Sequence, residues 1–429
     1  MEIDLLAERL DSIRQEAQSY QPPALTTDLL EALDADGQEI RIRAVVYLHQ
    51  LSKGVEELLV KDPRFPASEV KMIRQLNGAS GLYPHFVGQK LVQRTLESGS
   101  AALAIGWLQK VLGTSKASGA HIAALWNVPV SARVQLTSSI ALVPFEQLPE
   151  SKQKKDLEAQ QFQSGAVHTS LDWQIPTAAL VVPYVVDPFV SPPDLPPSTD
   201  LSEILAQVEE AIHMLTLIGP RVPILSANWF NFDDPDLEFA LLGVGRGASL
   251  LEILPRHFGQ PFPEVDAEEA QRVTRQFASL NPQTKKKITT ATARLGQALS
   301  RHRAGDRAVE LSIALETLLG DAQTNEMTHK VSVRAVRLLG GTSDARARNL
   351  QILKRTYAIR SKLVHQGEHE AKPQSIASVE MSVEDMISEA CALCATLIKT
   401  VIARGAIPSW SQFDISEAGD VPGDPPHTL

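Results

Sequence analysis

Apolar residues recur at helical spacing over Ile40–Val60, at Val45, Leu48, Leu51, Val55, Leu58 and Leu59, and predict a helix with one buried face. Pro63 and Pro66 end it, because proline lacks the amide donor and clashes with the preceding turn. Thr27-Asp-Leu-Leu-Glu31 opens a segment with acidic residues at its start, and Val87–Leu112 has helical texture with Gly99 and Gly106 as breaks. Ala101, Ala102 and Ala104 suit close helix packing. Residues 1–125 therefore read as a helical N-terminal region.

The texture changes near Trp126. Val130–Val143 alternates in part, with Thr and Ser between apolar positions, as a half-buried strand does. Lys152–Gln163 is polar, a helix or an exposed loop. Ala178–Val186 is β-branched and apolar, which fits a buried strand. Ser191-Pro-Pro-Asp-Leu-Pro-Pro-Ser198 is a stiff extended connection. Leu201–Leu217 is an amphipathic helix begun by Asp200 or Ser202, and Val222–Leu225 and Leu237–Val244 read as further short strands. Residues 126–265 are thus a mixed α+β middle domain.

From Asp266 the helical period dominates. Helices are expected near 267–280, 284–302, 305–319, 327–339, 345–366 and 383–404, with stops at Gly305, Gly320, Gly340-Gly341 and Gly367. They make 266–405 a helical bundle. The tail, 406–429, is rich in Pro, Gly and Asp and reads as disordered. The fold class is mainly α, and α+β overall.

Composition changes this picture little. The chain has 429 residues, 43% of them hydrophobic and 21% charged, as in an ordinary soluble protein of two or three domains. No run of 18 apolar residues occurs, and Thr177–Val190 is interrupted by Pro183, Asp187 and Pro188, so no membrane span is expected. The acidic start does not resemble a signal peptide. Two cysteines, Cys391 and Cys394, form no disulfide framework and are expected in the core, so a reducing cytoplasm is the default. Gly243-Val-Gly-Arg-Gly-Ala248 fits a dinucleotide fingerprint but lacks a surrounding βαβ pattern, and reads as a turn.

Charge distribution is more informative. The net charge is −10, yet Thr284–His365 holds 16 basic and 6 acidic residues, leaving 25 basic against 45 acidic elsewhere. A basic module in an acidic protein is the footprint of polyanion binding. A solvated helix surface, or a basic face docked on the acidic remainder, would give the same count.

Within that module Tyr357-Ala-Ile-Arg-Ser-Lys-Leu-Val-His365-Gln-Gly367 sets an arginine and a histidine five positions apart near a helix end. Arginine holds phosphate through a planar fork of donors, and histidine exchanges protons near neutral pH. At 100° per residue Leu350, Leu353, Tyr357 and Val364 share one stripe with Arg360 inside it, and Ile352, Ile359 and Leu363 form a second. Arg360 and His365 are then separated by about 140° around the axis, so one copy does not set them side by side. The plainer alternatives are an arginine paired with Asp306 or Glu316 and a histidine acting as a cap.

Tyr357-Ala-Ile-Arg360-Ser361-Lys-Leu-Val-His365 resembles the Arg-x4–6-His motif of HEPN domains, closest to the branch named after the ApeA defence protein. Asp306-Arg-Ala-Val-Glu-Leu-Ser-Ile-Ala-Leu-Glu316-Thr-Leu-Leu-Gly320 is similar to that branch's Asp-containing helix, and Arg294-Leu295 with Ala298 to the segment before it. The resemblance covers roughly 270–404. It implies a HEPN-like helical bundle that dimerises, with the motif at the dimer cleft, and metal-independent cleavage of RNA in a defence or toxin context. His365 would be general base or acid and Arg360 would stabilise the transition state. Tyr357, Ser361, Asp306 and Glu316 would support them, and Lys354, Arg355 and Lys362 on the same helix would contact RNA. No cofactor or metal is implied. The sequence departs from the family at Ser361, where many catalytic members carry Asn, Asp or His, and at Gln366. Some members only bind RNA, a nucleotide or a protein partner, which is the alternative. No regulatory partner is assigned to residues 1–265.

Overall fold

The computed structural model describes residues 3–19, 37–65, 70–76, 78–159, 175–195, 200–241, 261–321, 326–367 and 372–416. Among them are fourteen α-helices and ten mostly short strands, so the chain is mainly helical with an α+β part. Contacts divide it into two compact units. One is Met1–Ile122, Pro183–Glu203 and Trp229–Gly245, and the other is Ala123–Val182, Ile204–Asn228 and Arg246–Leu429. The units interleave along the chain because strand pairing joins stretches far apart in sequence.

The first unit contains α1 (Ile3–Ser19), α2 (Gly37–Val60), β1 (Met72–Gln75), β2 (Gly78–Gly81), α3 (Pro84–Ser98) and α4 (Ala101–Gly113). The helical reading of 1–125 holds for these four helices but is corrected at β1, β2 and Ala117–Leu125, which are strands, and 20–36, with the expected Thr27 start, lie outside the described residues. Gly99 breaks α3 from α4 in a left-handed conformation (φ 68°), whereas Gly106 lies inside α4 and breaks nothing. The four helices pack on one another.

Strand β3 (Ala117–Trp126) begins nine residues before the texture change at Trp126. Then follow β4 (Val134–Gln135), β5 (Ala141–Pro144), α5 (Lys152–Ala159), β6 (Ala178–Val186), β7 (Val190–Ser191), α6 (Asp200–Thr216) and β8 (Ile224–Phe232). The strands form a five-stranded sheet of order β4-β5-β6-β3-β8 and a three-stranded sheet of order β2-β1-β7. The sequence places β6 at its observed bounds and α6 within one residue. Leu237–Val244 is a correction: Pro235–Phe239 is a short helix, α7, and the rest falls mostly outside the described residues. The Asp234 carboxylate accepts from the Asp236 amide and Pro235 starts the turn, so local capping outweighs the apolar run. Lys110 then pairs with Asp234 at 2.6 Å, Arg94 pairs with Asp236, and Trp107 donates to the Asp236 carbonyl at 2.8 Å.

His121 on β3 is 2% exposed and its Nε2 has no hydrogen-bond partner. Burial lowers its pKa from 6.5 to about 4. The unfolded chain therefore takes up the proton first, so stability is complete above pH 6.5 and falls as pH drops toward 4. At pH 5 the loss is about 2 kcal/mol relative to pH 7. Urea midpoints at the two pH values should show it, and His121→Asn should flatten the difference.

The C-terminal helices all belong to the second unit. They are α8 (Ala267–Ala278), α9 (Pro282–Ser300), α10 (Ala304–Leu319), α11 (Met327–Leu339), α12 (Ser343–Gln366), α13 (Val383–Arg404) and α14 (Trp410–Ile415), with a hairpin of β9 (Gln374–Ile376) and β10 (Val379–Met381) before α13. Helix α13 is the central member, packing on α8 through α12. It is long and apolar enough to cross a membrane by composition, but 56% of that window is buried inside the protein. Cys391 and Cys394 lie on its buried face. The tail reading is corrected at α14: Trp410 and Phe413 are buried against α11, under Arg334 and Arg337 respectively, so these aromatics order a stretch whose composition reads as disordered. Residues 417–429 lie outside the described ones.

Candidate functional site

Helix α12 starts at Thr342, whose hydroxyl accepts from the Ala345 amide, and ends at Gly367 in the left-handed region, φ 68°. The Gly367 amide closes the last turn on the Leu363 carbonyl at 3.0 Å. A Cβ on Gly367 would meet nothing within 4 Å, so Gly367→Ala costs conformation only. We expect a loss of about 1 kcal/mol in thermal or urea unfolding.

The buried side of α12 is Ile352, Leu353, Thr356, Tyr357 and Ile359, facing α10, α11 and α13. The apolar stripe holds as far as Tyr357, but Val364 is 59% exposed. Every side chain of Ser361–Gln366 is exposed except the half-buried Leu363. The helix end thus leaves the packed core while still carrying an apolar residue.

Arg360 is the last side chain of α12 held by the core. Its Nη1 donates to Glu316 Oε1 of α10 at 2.9 Å, and its guanidinium carbon is 5.9 Å from the Tyr357 ring centre. The side chains are 36% and 26% exposed, so the pair contributes at most about 1 kcal/mol to stability. Its main effect is positional. One donor is fixed by Glu316, and the others have no protein partner among the described residues. Burial drives the Tyr357 phenol well above its ordinary range, and the Glu316 charge adds to this. Tyr357 therefore stays neutral, and its role here is packing beneath the guanidinium.

Of the two acids named for Arg360, the structure brings Glu316 to it. Asp306 stands in the first turn of α10, ten residues and about 15 Å up the helix, where a carboxylate meets the positive end of the helix dipole. His365 is exposed in the last turn of α12. Five residues at 100° put it about 140° from Arg360, so the two occupy different faces of one copy. Ser361 and Lys362 are exposed on the His365 side, as are Lys354 and Arg355 two to three turns earlier.

Carboxylates hold at least seven of the sixteen basic residues of 284–365. Arg294 and Arg301 share Glu310, Arg307 pairs with Glu384 at 2.9 Å, and Arg348 pairs with Glu389 at 2.6 Å. Arg334 and Lys330 reach Asp321, and Arg334 also reaches Asp414 at 2.6 Å. Three of these acids, Glu384, Glu389 and Asp414, lie beyond the basic stretch in sequence, so a count along the chain misses them. Lys354 and Arg355 have no ion-pair partner among the described residues. They line a groove of about 560 Å³ with Gln351, Ala358 and the hairpin residues Ser375, Ala377 and Ser378. The hairpin's part in it has no sequence signal, since Ala377-Ser378 lacks the glycine usual for such a turn. Among the described residues no three His, Cys, Asp or Glu side chains group as a metal site. Comparison of the chain with protein-family models, curated proteins and solved structures finds no significant match.

Proposed function

We propose that this chain is a metal-independent endoribonuclease of HEPN type, ApeA-like, acting in the cytoplasm as a homodimer in a defence or toxin role. The observation that carries the reading is one helix end presenting Arg360, steadied by Glu316 with donors to spare, and an exposed His365 five residues later. In one copy they face apart. Two-fold pairing of α12 ends, across the exposed Val364, would set the Arg360 of each copy toward the His365 of the other.

The chemistry suits these two groups. The RNA 2′-oxygen attacks the adjacent phosphorus while the bond to the 5′-oxygen breaks, leaving a 2′,3′-cyclic phosphate and a 5′-hydroxyl. One His365 takes the 2′-hydroxyl proton and that of the second copy protonates the leaving oxygen. Arg360 donates to the non-bridging oxygens as their charge grows. Ser361 stands beside the arginine as a weak hydrogen-bonding group. Residues 1–265 would sense, position or restrain.

A second reading, a non-catalytic module binding RNA, a nucleotide or a protein partner, draws on the Arg360–Glu316 pair, which already satisfies part of the guanidinium. Labelled RNA incubated with the full chain in EDTA separates the two. Fragments ending in cyclic phosphate support the nuclease. Retention of intact RNA supports the module, and the absence of both binding and cleavage removes the nuclease as well.

A further inference from the structure

The exposed face of α12 carries a polar stripe interrupted by Ala358. At 100° per residue Gln351, Lys354, Arg355, Lys362 and His365 fall within about 120° of one another, opposite Arg360. All five are exposed. From Lys354 to Lys362 the rise is about 12 Å, and His365 follows about 4.5 Å beyond. The cations at the start of the stripe differ from the paired arginines of the bundle. The arginines at 294, 301, 307, 334, 348 and 360 are all held by carboxylates, whereas Lys354 and Arg355 have none among the described residues. Glu326 shares with Lys354 the adjoining depression without pairing to it.

A second element completes the wall. The β9–β10 hairpin turns through Ala377 and Ser378, both left-handed at φ 48° and 67°. Non-glycine residues are disfavoured there. The Ala377 amide is fixed by Gln351 Oε1 at 2.8 Å, which ties the turn to the cationic face. Ser375 and Ser378 are exposed beside Lys354 and Arg355 in the groove, adding neutral hydroxyl donors to two charged ones.

Resting on the reading that this protein acts on RNA, we infer that the stripe and hairpin form a track for the phosphodiester backbone of single-stranded RNA, entering at Lys354 and Arg355 and passing Lys362 to reach His365. Charge complementarity selects a polyanion. The attack geometry selects an unpaired strand, since the 2′-oxygen must swing in line with the leaving oxygen, a freedom that an A-form duplex denies. Contacts of this kind position the strand without reading its bases.

The test is binding of a fluorescent single-stranded RNA to the full chain in EDTA at several salt concentrations. Lys354→Gln with Arg355→Gln should weaken binding ten- to a hundred-fold at low salt. It should also flatten the slope of log affinity against log salt by about 1.4, or about 0.7 for each phosphate no longer neutralised. Lys286→Gln with Arg303→Gln removes the same charge from exposed positions off the track and should change affinity less than three-fold. Equal losses in both double variants, or wild-type binding by the first, would overturn the track and leave the cleavage proposal standing. RNA bound through Lys354 and Arg355 but never cut would keep the track and remove the nuclease. Wild-type protein that ignores RNA, whether or not it binds phosphatidylserine vesicles, overturns the track.

Discussion

Arg360→Ala and His365→Ala should each lower RNA cleavage by two to four orders of magnitude while leaving the fold intact. The size follows from the roles. A positioned acid or base contributes about 10²- to 10⁴-fold, and one well-placed donor to a developing oxyanion contributes about 10²- to 10³-fold. The fold should survive because His365 is exposed and Arg360 makes a part-exposed ion pair worth at most about 1 kcal/mol. Arg360→Lys should recover little, since a point charge cannot present two donors to neighbouring oxygens. Glu316→Gln is the informative companion. It keeps the shape and a hydrogen-bonding oxygen but removes the charge that steadies Arg360, so the loss should appear in turnover and stay below that of Arg360→Ala. Cleavage that persists in either alanine variant, or products lacking 2′,3′-cyclic phosphate, would defeat the assignment.

Much of the helical half was legible in the sequence. The helices at Met327–Leu339 and Val383–Arg404 have the expected bounds, and the others of the bundle lie within two residues of theirs at each end. Apolar seams of period 3.6 and the stops at Gly320, Gly340 and Gly367 are local signals that these helices obey, whereas the expected stop at Gly305 falls inside the first turn of α10, because α9 already ends at Ser300. The angular separation of Arg360 and His365 was likewise readable, because it depends only on helix geometry. What the sequence hides is long-range. Arg307 is 1% exposed and lodged against Glu384, seventy-seven residues away, and nothing near Arg307 announces that partner. The +10 segment therefore overstates the charge left for phosphate. Its cationic surface is narrower than its count, and the groove at Lys354 and Arg355 depends on a hairpin whose turn residues carry no strong preference for it. Capping at Asp234 and aromatic anchoring at Trp410 are the other places where a local reading of polarity fails.

Arg334→Ala should destabilise the second unit by about 3 kcal/mol, the lower part of the range for breaking a buried ion pair. Arg334 is 2% exposed and reaches from α11 to the Asp321 carboxylate at 2.7 Å, the Asp414 carboxylate at 2.6 Å and the Leu319 carbonyl at 2.8 Å, with its guanidinium 5.0 Å from the Trp410 ring centre. Truncation leaves two carboxylates facing each other and a buried carbonyl without its donor. The lower part of the range applies because Asp414 and Asp321 keep 39% and 27% exposure and regain some water. Arg334→Met should restore the packing on Trp410 but not the charge, and so recover less than half of the loss. Asp414→Asn, which leaves Asp321 in place, should cost about 1 kcal/mol. Amide hydrogen exchange over Trp410–Ser416 should quicken in all three variants, since Arg334 joins that segment to α11. If Arg334→Ala unfolds within about 2 °C of wild type, a shift that for a unit of this size corresponds to under 1 kcal/mol, the pair is not what holds α14 in place.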